Sequence, residues 1–140
     1  MLAERLLRWL LVLTGATCMA GGVAVYMPRQ WMVVAHEWLG MGKFPDQAIA
    51  EYLARLTAAL YAMYGLLLIV MATDVRRHAR IITVQAFALV AVAASADFML
   101  WGTDIPAWWI LGDVGSCIAF AAATLALQGT IGAAQAQKGE

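Results

Sequence analysis

Four apolar stretches, each close to the length of a bilayer crossing, dominate this chain. They run over residues 9–26, 53–72, 81–101 and 107–128. A helix needs about 20 apolar residues to cross a hydrocarbon core roughly 30 Å thick. Lipid offers backbone N–H and C=O groups no partner, so each stretch is expected to satisfy them internally, as a helix. Composition closes off the soluble alternative. The chain has 140 residues, 64% hydrophobic and 13% charged, against roughly 45–50% and about 25% in soluble domains. So small a chain cannot hide that excess in a water-solvated core. The expected fold is an all-α membrane protein: a four-transmembrane-helix bundle forming a single membrane domain over residues 1–140.

The basic residues orient these spans. Arg5 and Arg8 precede the first, and Arg76, Arg77 and Arg80 crowd the link "DVRRHAR" between the second and third. The link "GTDIP" between the third and fourth carries an Asp and no base. Both termini and the 76–80 link are therefore expected in the cytoplasm, with the first and third links outside. In a bacterium this is a multi-pass protein of the inner membrane. The first span is expected to stay in the mature chain, because no small-x-small cleavage site precedes Pro28. The basic link serves as a topology anchor, with anionic-lipid binding as the functional alternative.

The first outer link is long and structured. Pro28 suits a first helical turn, and Trp31, Val34, Ala35, Trp38 and Leu39 recur at helical spacing. Gly40 and Gly42 should stop that helix. A short amphipathic helix is expected here, lying in the outer interface with its indoles at headgroup depth. Asp46 is read as the N-cap of the next helix. Trp101, Trp108 and Trp109 are assigned to the outer aromatic belt.

Ionic side chains gather at the same outer level. Glu51 and Arg55 stand at (i, i+4) in the favoured order of signs. Asp97 lies one turn before the end of the third span and Asp113 two turns into the fourth. Asp113 shares a face with Ser116, Ala121, Thr124 and Gln128, and Arg55 shares one with Ala58 and Ala62. Small and polar faces mark helix contact in membranes. Glu51, Arg55, Asp97 and Asp113 are therefore expected to form a polar cluster, with His36, Glu37 and Asp104 covering it from the links. Such a cluster is either a structural tie or a ligand site.

Most familiar chemistries are disfavoured. No cofactor is expected: the histidines, His36 and His78, are placed on opposite sides of the membrane, which rules against haem. Cys18 and Cys117 have no CxxC or zinc spacing, and no metal is expected. No nucleophile elbow frames Ser95 or Ser116, and no glycine-rich phosphate loop is present. Nine basic residues balance nine acidic ones, so nucleic acid is not an expected partner.

The run "HEWLGMGKFPDQAIAEYLARLTAALYAMYGLLLIVMATDVRRHARII", followed by "WGTDIPAWWILGD", resembles a group of uncharacterised bacterial four-helix integral membrane proteins. In size and helix count alone the chain is also similar to the DoxX-like small membrane proteins. The resemblance implies the four-span architecture and brings no activity with it. The functional expectation is a non-catalytic accessory or assembly subunit, or a self-associating bundle, with membrane lipid and other membrane subunits or itself as partners. The alternative is a site for a small polar or amphipathic ligand at the outer ends of the second to fourth helices, serving a transporter or membrane enzyme.

Overall fold

A computed structural model describes residues 2–100, 102 and 105–137, apart from the side chains of residues 96, 97 and 100. Trp101 and Asp104 thus lie outside the described residues, as does the side chain of Asp97. The chain is helical, with no strand among the described residues. Helix α1 is Leu2–Gly21 and continues into a single 3-10 turn, Gly22–Val25. Then come α2, Arg29–Trp38; α3, Ala48–Thr73; α4, Ala79–Leu100; and α5, Ala107–Ala136. Among the described residues, three segments are long and apolar enough to cross a membrane: Leu2–Val25, Ala48–Thr73 and Ala107–Ala136. A shorter apolar run, Ala79–Ser95, lies in α4.

These helices outrun the apolar stretches that announce them. Segment α1 begins seven residues before Trp9, and α5 continues eight past Gln128. Backbone propensity, not hydropathy, decides where a helix frays, and the alanine-rich tail of α5 favours the helix. At 1.5 Å per residue, the 26 residues of α3 span about 39 Å.

Two compact units divide the chain: Val12–Val70 is one, and Met1–Leu11 with Met71–Glu140 is the other. In the first, α1 and α3 cross glycine on glycine. Gly15 and Gly65 are both buried. A Cβ added to Gly15 would lie 2.7 Å from the Gly65 carbonyl oxygen, and one added to Gly65 would lie 2.8 Å from the Met19 nitrogen. Seven residues further along, a Cβ on Gly22 would lie 2.7 Å from that of Ala62. Small residues let the backbones approach to where dispersion and Cα–H···O contacts act.

The outer link folds as its punctuation dictates. Pro28 takes the N-cap position of α2, and its carbonyl accepts the Trp31 N–H at 2.9 Å. At the other end the Met41 N–H reaches the His36 carbonyl and the Gly40 N–H that of Glu37. This is a Schellman closure, and Gly40 supplies the positive φ of 73° that it needs. Asp46 does not cap α3; its carboxylate receives Arg29 at 2.9 Å and the helix starts at Ala48.

In the second unit α4 packs along α5. Ile82, Ala86 and Ala93 of α4 are buried, as are Phe120, Ala121, Thr124 and Ile131 of α5. Gln128 ties the pair by polar bonds. Its amide nitrogen donates to the Ala79 carbonyl at 2.9 Å, and its oxygen accepts from the Thr83 hydroxyl at 2.6 Å. The turn before α4 is held by Asp74, which accepts the Arg77 backbone N–H at 3.0 Å. That bond holds the Asp74 carboxyl below its usual range. On α1, Glu4 accepts the Arg76 guanidinium at 2.9 and 3.2 Å.

Candidate functional site

An arginine near the mouth of an apolar helix needs acceptors, and Arg55 finds them mostly in backbone. The helix that begins with α1 ends at Val25, where the last carbonyls have no intrahelical donor. Arg55 donates to the Val25 carbonyl through Nη1 and to the Met27 carbonyl at 3.0 Å through Nη2. Its Nε and Nη2 also reach Glu51 Oε1, at 3.1 and 2.7 Å. A planar guanidinium thus closes one helix end and grips a carboxylate a turn earlier on its own helix. Positive charge at a helix C-terminus is favoured by the macrodipole, and the fixed fork of donors suits several acceptors at once.

The network continues outward. Arg29 lies 3.5 Å from Glu51 and bonds Asp46, and its guanidinium sits 5.8 Å from the Phe44 ring centroid. His36 meets Phe44 edge-on at 5.4 Å, with Nδ1 at 3.0 Å from the Gly42 carbonyl oxygen. Asp46, Arg29, Glu51 and Arg55 therefore form one chain of charge that joins α2, the outer link and α3 to the end of α1. Sequence spacing identified the Glu51–Arg55 pair. It could not identify Arg55's carbonyl partners, because a carbonyl has no side-chain signature. Arg29, weighed only as part of a mixed loop, is the other member it missed.

The remaining residues expected at this level stand as follows. His36 is half-buried and Glu37 exposed, both on α2. Asp113 is exposed on α5, beside Trp108, Trp109 and Gly112. The polar face of α5 is split: Thr124 is 1% exposed and Gln128 is bonded to α4, whereas Asp113 and Ser116 are open. From residue 107 to 119 no α5 residue is buried. Added Cβ atoms on Gly112 and Gly115 would meet nothing within 4 Å.

The face of α2 bearing Trp31, Val34, Ala35 and Trp38 is also exposed, and with Met27 it lines a shallow apolar groove. Met32, on the opposite side, is buried. Among the described residues, no three His, Cys, Asp or Glu side chains gather into a possible metal site. Comparison with protein-family models, curated proteins and solved structures finds no match to this chain.

Proposed function

We propose that the chain is a four-span bacterial inner-membrane protein acting as a non-catalytic subunit, joined to a second copy or another membrane protein through the outer half of α5. In this reading α4 is also a span, the third in chain order, its 22 residues reaching about 33 Å. Both termini and residues 76–80 face the cytoplasm, and α2 lies in the outer interface with Trp31 and Trp38 at headgroup depth.

The observation that carries the reading is the bare stretch 107–119. It contains a carboxylate, Asp113, and a hydroxyl, Ser116, and none of its residues is buried. A carboxylate facing lipid costs roughly 2.5–3.5 kcal/mol at the bilayer centre and less toward its edge. Glycine inside a helix costs about 1 kcal/mol relative to alanine. The α1–α3 crossing repays that cost by close contact at Gly15 and Gly65, and among the described residues nothing repays it at Gly112 or Gly115. A neighbouring helix seated there would supply both the close contact and a partner for the carboxylate.

A ligand using Arg55 would have to displace the Val25 and Met27 carbonyls from its guanidinium.

The test is association in mild detergent, read by native mass spectrometry of protein drawn from its own membrane. Wild type should emerge with a second copy or another subunit attached. Gly115→Leu, accepted locally because its Cβ meets open space, should weaken that complex about ten-fold or more. A wild-type protein that emerges as a bare monomer from both gentle detergent and nanodiscs would refute the proposal.

A further inference from the structure

The end of the molecule that bears the α3–α4 turn holds a cavity of about 110 Å³. Leu7, Val75 and Ile131, all buried, wall it on the apolar side. Arg76, Gln128 and Gln135 line it with polar groups. Their donors are only partly used. Glu4 takes Nε and Nη2 of Arg76, and the arginine is otherwise exposed, so its Nη1 is open to solvent or a ligand. The Gln128 amide nitrogen gives one hydrogen to Ala79 and keeps a second. Arg5, Arg8, Arg77 and Arg80, in the same compact unit, are exposed. The acids of this region are engaged, Glu4 by Arg76 and Asp74 by the Arg77 N–H.

We infer that this cavity seats the phosphodiester of an anionic phospholipid. An apolar wall with a guanidinium and two amides beside it suits a group that is charged at one end and continues into hydrocarbon. The cavity is half-open, so a phosphate group seated in it leaves the acyl chains to run outside. The exposed arginines of this unit add a general attraction to an anionic surface, about five-fold in affinity for each charge near it. A topology anchor requires only the surface arginines; it does not require a cavity with unused donors.

The inference rests on the membrane reading above. Its test uses the whole protein in nanodiscs of phosphatidylglycerol or phosphatidylcholine, with native mass spectrometry counting retained lipid. Wild type should enter both and hold one phosphatidylglycerol in preference to phosphatidylcholine. Gly132 lines the cavity, and an added Cβ there meets nothing within 4 Å, so Gly132→Leu fills it without changing charge. Gly132→Leu and Arg76→Gln should each weaken phosphatidylglycerol retention about ten-fold, the equivalent of one hydrogen bond to a charged group. Glu4→Gln, which frees the guanidinium, should retain the lipid at least as well as wild type. If Gly132→Leu binds like wild type while Arg77→Gln weakens binding, surface charge alone is responsible and the cavity is not the site. Displacement of the lipid by millimolar inorganic phosphate would make this a free-phosphate site instead. Failure of wild type to enter either nanodisc would fault the membrane reading and not the cavity.

Discussion

Gly65→Leu should destroy the contact between α1 and α3 and lower the melting temperature in detergent by roughly 10 °C or more. A single added carbon at Gly65 already falls against the Gly15 carbonyl oxygen and 2.8 Å from the Met19 nitrogen. Both are main-chain atoms, so no rotamer change can relieve the clash; one helix must move off the other. Overpacking of an ordinary core costs about 1–3 kcal/mol, and here the obstacle is backbone, so the upper end applies. Gly65→Ala should show the same effect at reduced size. Gly21 is the control, because a Cβ there meets nothing within 4 Å. Gly21→Ala should be neutral or raise the melting temperature, since alanine favours the helix by up to about 1 kcal/mol. Equal melting of Gly65→Leu and Gly21→Ala would show that the crossing is not where the structure places it.

Arg55→Ala should be the most damaging change of a charged residue. It leaves the Val25 and Met27 carbonyls without their donor and removes one of the two arginines beside Glu51. A hydrogen bond to a charged group contributes about 1.5–3 kcal/mol. Arg55 and Glu51 are partly open, at 31% and 27% of their side-chain surface, so screening trims the ionic share. A net loss of roughly 2 kcal/mol in stability follows, most of it from the stranded carbonyls. Arg55→Lys should recover part of it, because an ammonium carries the charge but lacks the planar fork. Glu51→Gln should do much less harm than Arg55→Ala, since the helix end keeps its donor. If Glu51→Gln proves as harmful as Arg55→Ala, the ion pair and not the helix closure is what matters.

How far these features can be read from residues alone varies with the kind of contact. Length and hydropathy expose the apolar helices directly, because lipid leaves the backbone few other choices. The α2 stop at Gly40 is equally plain, since a positive φ is a property of one residue. Contacts between distant segments are harder. Gly15 and Gly22 stand out in sequence as small residues of the first span. Their partners, Gly65 and Ala62, stand among tyrosines, methionines and leucines that disguise them. Gly21 looks identical to Gly22 in sequence, yet a Cβ added there meets nothing within 4 Å. Helical periodicity placed Asp113, Thr124 and Gln128 on one face, but it carries no information on how far along that face a neighbour extends. Hence the buried Thr124 and the exposed Asp113 were indistinguishable.

The central proposal is that lipid solvates most of this chain, with residues 76–80 cytoplasmic and Lys43 outside, as the distribution of basic residues predicts. Cysteine accessibility in intact bacterial cells tests it most directly, with Cys18 and Cys117 replaced by alanine. Lys43 and Arg77 are both exposed. Lys43→Cys should react with a membrane-impermeant maleimide from outside, and Arg77→Cys only after the inner membrane is opened. Labelling of both from the same side, or recovery of the protein in the cytosol, would contradict it.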